Sequence, residues 1–169
     1  GGECSYWACM PSKALLRPGE ALAVARRVPS IRDAVTGGID VDKALSSRNA
    51  FASNWDDSGQ EQWLASVNAE LIRGHGKITG EKAVTAFEKD GTVRELVARK
   101  AVVVATGSTS FIPPIDGLDG AAAWDSRKIV TSPTVPERLL ILGGGVVGIE
   151  MAQAWDSLGS DVTVIEMQD

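Results

Sequence analysis

The sequence predicts an α/β fold: a mostly parallel sheet layered with helices, carrying an antiparallel hairpin. Three observations support this. Residues 139–142, 143–158 and 162–166 read as strand, helix and strand, with apolar runs at both strand positions and a glycine cluster between the first strand and the helix. Ala101-Val102-Val103-Val104-Ala105 is a continuous apolar run of strand length, the pattern of a strand buried on both faces. Residues 83–88 and 92–98 flank Asp90-Gly91, a strong hairpin signal.

The other elements follow in order. Residues 1–28 look helical, with Pro18-Gly19 dividing two helices; Glu20 opens the second and Arg26-Arg27 close it, as the helix dipole prefers. Gly37-Gly38 marks a loop. Residues 41 to about 55 read as an amphipathic helix that breaks at Asp56-Asp57-Ser58-Gly59. A short helix is expected over 60–67 and a strand over 71–78. Pro113-Pro114, Pro133 and Pro136 mark a crossover stretch before the strand at 139.

Bulk properties narrow the class. A chain of 169 residues is one or two domains, and 44% hydrophobic with 23% charged residues suits a soluble globular protein. A net charge of −5 argues against a nucleic-acid or anionic-membrane partner. No apolar run reaches the length of a membrane span.

Gly143-Gly144-Gly145-Val146-Val147-Gly148 matches G-x-G-x-x-G, and its setting between a strand and a helix gives the match weight. In a Rossmann-like unit the first glycine makes the tight turn. The second lets a pyrophosphate approach the backbone, and the third lets helix and strand pack closely. The helix N-terminus then offers N–H groups and a positive dipole end to the phosphates. Glu166 lies 18 residues past Gly148, at the end of the second strand. There a carboxylate can accept from ribose hydroxyls and would repel a 2′-phosphate, which favours NAD over NADP.

The other informative stretch is Gly1-Gly2-Glu3-Cys4-Ser5-Tyr6-Trp7-Ala8-Cys9-Met10-Pro11-Ser12-Lys13, which holds both cysteines of the chain. On a regular helix, residues at i and i+5 have Cα atoms roughly 8–9 Å apart, whereas a disulfide needs about 4.4–6.8 Å. A bridge therefore requires a distorted turn, and Pro11 supplies a reason for one. Closing so short a loop gains little by restricting the unfolded chain, so a dithiol that opens and closes is the favoured use. The alternatives are two buried core thiols or half of a metal site; a lone His75 and an unpaired x4 spacing make zinc a poor fit, and no metal ligands are assigned. Two close cysteines in such a sequence fit a reducing compartment, so a cytoplasmic location is expected.

Gly-Gly-x-Cys-x4-Cys-x-Pro-Ser-Lys resembles the redox segment of the FAD-dependent pyridine nucleotide–disulfide oxidoreductases, a family that includes dihydrolipoamide dehydrogenase, glutathione reductase and mercuric reductase. Two later motifs arrive in the family's order. The resemblance implies parts of two Rossmann-like domains: a partial FAD-binding domain with the redox disulfide at 1–127, and the start of an NAD-binding domain at 128–169. It implies that Cys4 is the interchange thiol and Cys9 the thiol that contacts the flavin, which needs a lowered thiol pKa and access. Lys13 and Glu150 correspond to an ion pair near the flavin N5. Thr106, Gly107 and Ser108 match a segment beside the FAD, and Gly76, in Gly74-His75-Gly76-Lys77, matches a turn that meets its adenine. Gly143, Gly145, Gly148 and Glu166 would hold NAD.

The resemblance also sets out what the family has beyond this sequence. Its catalytic histidine belongs to a His-x4-Glu motif contributed by the other subunit of a homodimer, and His75 does not match it. The chain opens at Gly1 in mid-motif and stops just past the second nucleotide motif, so it reads as an internal segment of a longer protein, expected to lack turnover by itself. Glu3 stands where many members carry Thr near the FAD diphosphate, which leaves the orientation of a carboxylate open. Ser5-Tyr6-Trp7-Ala8 is bulkier than the usual filling, and Trp7 is expected to be a core aromatic. The implied activity is electron transfer between NAD(H), FAD and the Cys4–Cys9 disulfide, with a small-molecule or protein disulfide or dithiol as substrate. The rival readings are a non-catalytic nucleotide-binding module, and an NADH oxidase or transhydrogenase without a disulfide substrate.

Overall fold

A computed structural model describes residues 2–166. In chain order the elements are helices α1 (Cys9–Arg27), α2 (Pro29–Arg32), α3 (Val41–Phe51) and α4 (Ser58–Ser66), strands β1 (Gly74–Gly80), β2 (Ala83–Glu88) and β3 (Val93–Val97), helix α5 (Ser126–Thr131), strand β4 (Arg138–Leu142), helix α6 (Val146–Ser157) and strand β5 (Asp161–Ile165). Short 3-10 turns cover Ser53–Trp55 and Leu118–Ala121. They divide into two compact units, residues 56–106 and residues 2–55 with 107–166.

The first unit is α4 followed by an antiparallel meander in the order β1-β2-β3. The expected hairpin forms where Asp90-Gly91 places it. Gly91 takes φ +90°, open to glycine at no steric cost, and the Asp90 Oδ1 accepts from Thr92 N at 2.9 Å. Gly74 is required by close approach: a Cβ there would lie 2.2 Å from the Phe87 carbonyl oxygen. Arg73, just before β1, donates to Asp57 Oδ2 at 2.7 Å and to Glu61 of α4, joining helix to sheet.

Two expectations change here. The strand expected from residue 71 begins at Gly74. More importantly, residues 101–105 form no strand, and Val103 and Val104 are exposed. An apolar run of this kind is stable as a strand only with neighbours to satisfy its N–H and C=O groups. Among the described residues the parallel pairing is that of β4 with β5, which match each other from Arg138↔Asp161 to Leu142↔Ile165.

The second unit is built on that parallel pair and on helices α1, α3, α5 and α6. Leu15, Ala44, Leu45, Val130, Met151, Ala154, Trp155 and Leu158 form its buried core, with Leu139 and Val162 of the two strands packed against it. α1 runs unbroken through Pro18, where two helices were expected. Packing explains the difference. Gly19 meets α6 so closely that a Cβ would fall 2.5 Å from Ser157 Cβ, and fully buried Leu15 anchors the turn before it. Burial on that face outweighs the roughly 3 kcal/mol that an interior proline costs a helix. α3 ends at Phe51, shorter than expected, with Ser53, Asn54 and Trp55 all at positive φ. At its other end Asp40 caps the helix, accepting from Lys43 N at 3.1 Å.

Candidate functional site

The cysteines sit where the chain turns into α1. Glu3 O accepts from Tyr6 N at 3.3 Å and Trp7 N at 2.7 Å, and Cys4 O accepts from Met10 N at 2.9 Å, so residues 3–10 fold as consecutive turns. Pro11 falls in the first turn of the helix, where its missing N–H costs no hydrogen bond. Cys4 and Cys9 are both exposed free thiols, on either side of the turn into α1. The Cys9 side chain holds the Cys4 thiol above its ordinary value of 9.0, first by hydrogen bonding, then with desolvation and the charge on Cys9 adding to it and a backbone hydrogen bond from Cys9 opposing. The expected access is present. For Cys4 the direction is upward, since its neighbour is another thiol, which favours the protonated form.

Lys13, one turn into α1, reaches Glu150 near the start of α6, with Nζ 2.6 Å from Oε1 and 2.5 Å from Oε2. The two residues are 137 apart in sequence, and the α1–α6 crossing brings them together. The Glu150 side chain is 30% exposed and that of Lys13 59%. An ion pair that exposed contributes at most about 1 kcal/mol to stability; it ties the start of α1 to the start of α6.

The glycine loop follows β4. Gly143 N donates to Ile165 O at 2.8 Å, and its φ of +104° makes the tight turn. A Cβ on Gly148 would sit 2.2 Å from Gly143 O and 3.3 Å from Ile141, so helix and strand touch there through backbone. Gly145, at the helix N-cap, faces open space, with nothing within 4 Å of an added Cβ. The first N–H groups of the twelve-residue α6 have no partner within the helix. Glu166 bends back over the loop, and its Oε2 accepts from Gly144 N at 2.6 Å. A cavity of about 830 Å³ opens beside the loop, lined by Gly143, Gly145, Val146, β4, Phe111 and Trp124. These features suit a dinucleotide: a contact point needing glycine, a clear space above the second glycine, aligned N–H groups, and a carboxylate at the end of the second strand.

The remaining expected residues fall in both units. Gly76 is exposed on β1 opposite Ala86, with room beside it, its added Cβ coming no closer than 3.8 Å to Val84. Thr106 ends the first unit. Gly107, at φ +74°, and Ser108 open the second stretch of the other unit. Ser108 lines a polar cavity of about 230 Å³ with Glu3, Thr109, Ser110, Asp125, Ser126 and Arg127.

In that cavity lies a group that sequence reasoning missed. Arg127 donates from Nε to Glu3 Oε1 at 2.8 Å and again from Nη2, which fixes the carboxylate whose orientation the sequence left open. The same guanidinium lies 5.9 Å from the Trp7 ring centroid. Trp7 is 36% exposed rather than a core residue, and it stacks on Trp55 at 5.6 Å and 20°. Arg48 covers Trp55 at 5.6 Å and, fully buried, donates to the carbonyls of Val130 at 2.8 Å and Ser132 at 2.9 Å. The one available signal was an acid in a position where the family's Thr faces phosphate, which calls for a cation nearby. Among the described residues no cluster of metal-ligating side chains occurs, and no helix is long and apolar enough to cross a membrane.

Comparison with known proteins agrees with this geometry. The dihydrolipoyl dehydrogenase of Chlorobaculum tepidum is 35% identical over 170 residues, covering 99% of this chain and 35% of that protein. The mercuric reductase of Bacillus cereus is 30% identical over 170 residues, covering 100% of this chain and 26% of that protein. The chain thus spans about a third of the length of the curated relatives it matches. In fold it resembles the HOCl-induced flavoprotein disulfide reductase of Escherichia coli, solved as a Cu(II) complex of a mutant. That match has a TM-score of 0.78 at 22% identity, over 98% of this chain and 34% of that one. With residues 1–169 matching the pyridine nucleotide-disulphide oxidoreductase family throughout, the chain belongs to that family.

Proposed function

We propose that this chain is the redox-active and nucleotide-binding part of a dihydrolipoyl dehydrogenase-like flavoprotein, which passes electrons between NAD(H), FAD and the Cys4/Cys9 couple. The observation that carries the reading is the pair of exposed free thiols flanking the turn into α1. Residues 1–127 form part of the FAD-binding domain and residues 128–169 begin the NAD-binding domain. Lys13, Gly76, Thr106, Gly107, Ser108 and Glu150 would hold FAD; Gly143, Gly145, Gly148 and Glu166 would hold NAD. The glycine loop supports the second assignment, because its close contact at Gly148 and open space at Gly145 are what a bound pyrophosphate needs. When bound, the flavin would relay two electrons between nicotinamide and disulfide, while the protein binds and orients.

The chain's own chemistry is thiol–disulfide exchange. The Cys4 thiolate attacks one sulfur of a substrate disulfide and releases the other as a thiol. Cys9 then attacks Cys4, frees the second substrate thiol and closes the Cys4–Cys9 bridge, so that two electrons pass to the substrate. The dehydrogenase direction runs the same bonds backwards. Greater exposure of one cysteine is not needed, since both thiols are accessible. The substrate is a small-molecule or protein disulfide or dithiol, and the whole protein is a cytoplasmic homodimer. Incubating the reduced chain with oxidised dithiothreitol tests the reading. An intramolecular Cys4–Cys9 bridge, seen as the loss of two hydrogens by mass spectrometry and absent in Cys4→Ser, is expected. Thiols that stay reduced at a large excess of oxidant would reject it and leave a nucleotide-binding module.

A further inference from the structure

Arg127 grips both ends of the turn that carries Cys4. Its guanidinium binds the side chain of Glu3, at the start of the turn, and covers the ring of Trp7, at its end. The backbone of the turn is closed by Trp7 N donating to Glu3 O at 2.7 Å. Arg127 is itself held, because Asp125 caps α5 by accepting from Arg127 N at 3.1 Å and Lys128 N at 2.8 Å. Trp7 also stacks on Trp55, and Trp55 lies under Arg48. Arg48 returns to the other end of α5 through the carbonyls of Val130 and Ser132. Arg127, Trp7, Trp55 and Arg48 thus form a closed circuit that starts and finishes on a single helix. Between its two ends on α5 it passes through the redox turn, the 3-10 turn that carries Trp55, and α3.

We infer that Arg127, through Glu3 and the stacked Trp7–Trp55 pair, is a positioning residue that holds Cys4 against Cys9 and so sets how readily the two form a disulfide. The inference rests on the proposed thiol–disulfide function of this pair. Family resemblance marked Glu3 and the bulky Tyr6-Trp7 filling as departures; the circuit gives both a use. A turn pinned at its two ends keeps its thiol within reach of the partner, which raises the effective concentration of one sulfur at the other. A turn released at either end lets Cys4 wander, and the dithiol gains entropy that the disulfide does not.

The experiment equilibrates the full chain in buffers of graded reduced and oxidised dithiothreitol. At equilibrium Cys4 and Cys9 each give up one hydrogen and an S–S bond forms between them, while the reagent's S–S bond breaks and takes up both hydrogens. The ratio of bridged to open protein is read by mass spectrometry. Arg127→Gln is expected to lower the equilibrium constant for bridging roughly three- to tenfold, from loss of one exposed ion pair and one cation–π contact. Tenfold corresponds to about 30 mV for this two-electron couple. Arg127→Lys keeps the charge on Glu3 but not the flat guanidinium face on Trp7, and should fall between. Arg17→Ala, which removes the exposed Arg17–Glu20 pair within α1, should leave the constant unchanged.

A purely structural role would lower thermal stability in both redox states alike and leave the constant alone, so Tm is measured on open and bridged protein. Should Arg127→Gln fail to fold, Glu3→Gln cuts the same pair from its other end and must give a shift of the same sign. In a folded double variant the two effects must be less than additive. A constant within twofold of wild type in the folded single variants overturns the inference. A wild-type chain that never bridges overturns the proposed function instead, so the two failures are distinct.

Discussion

Gly148→Ala and Gly145→Ala separate what the glycine loop does for folding from what it does for a nucleotide. A Cβ at residue 148 would lie 2.2 Å from Gly143 O, about 1 Å inside van der Waals contact, and 3.3 Å from Ile141 Cγ2. Neither neighbour can yield cheaply. Gly143 is tied to Ile165 by its N–H, and the helix beginning at Val146 is anchored by buried Met151, Ala154 and Trp155. Overpacking of this kind costs about 1–3 kcal/mol. With a denaturation slope of about 2 kcal/mol/M, the urea midpoint should fall by roughly 0.5–1.5 M. Gly145 differs: its φ of −67° and ψ of 176° suit any residue, and an added Cβ meets nothing within 4 Å. Gly145→Ala should therefore hold its stability within about 0.5 kcal/mol of wild type, as surface substitutions do. Titration with NADH, followed by tryptophan fluorescence, should nevertheless show binding weakened at least tenfold, because the methyl group stands where a pyrophosphate must approach. Unchanged NADH affinity in Gly145→Ala would refute the assignment of the open space to phosphate. Unchanged stability in Gly148→Ala would refute the packing argument.

Glu166→Ala removes the carboxylate that accepts from Gly144 N and that is proposed to accept from ribose hydroxyls. Loss of such a charge-assisted hydrogen bond costs about 1.5–3 kcal/mol, so NADH affinity should fall about ten- to hundredfold while NADPH affinity falls less or rises; an unchanged ratio in parallel titrations would reject the preference for NAD. Arg48→Met deletes buried charged hydrogen bonds to Val130 O and Ser132 O and strands both carbonyls, so chemical denaturation should show a loss of about 2–4 kcal/mol. Cys9→Ala removes the group that raises Cys4, and thiolate absorbance at 240 nm should then titrate lower, toward 9.0. The linked stability follows the protonated thiol: it is present below pH 9.0 in the wild type and lost as pH rises through the raised value, and Cys9→Ala should lose that dependence.

The sequence by itself determined the elements whose cause is local. Asp90-Gly91 makes its hairpin because glycine alone adopts the required φ freely, and the glycine run after residue 142 makes its turn for the same reason. The parallel βαβ unit follows from apolar periodicity with a short glycine connection. Cys4, Cys9, Lys13 and Glu150 were legible as a set only through the resemblance of their motifs to the family's, and the fold then brings Lys13 and Glu150 together. Tertiary structure alone decided what depends on distant groups. α1 continues through Pro18 because Leu15 and Gly19 pack against the rest of the unit, and residues 101–105 form no strand because an apolar run cannot supply its own neighbours. The raised Cys4 thiol came from a second thiol folded back upon it. Glu3, Trp7, Trp55, Arg48 and Arg127 come from four separate stretches of the chain, so no local pattern links them. Their circuit exists only once α5 is laid beside the redox turn, where a cation, two rings and a carboxylate can share one face.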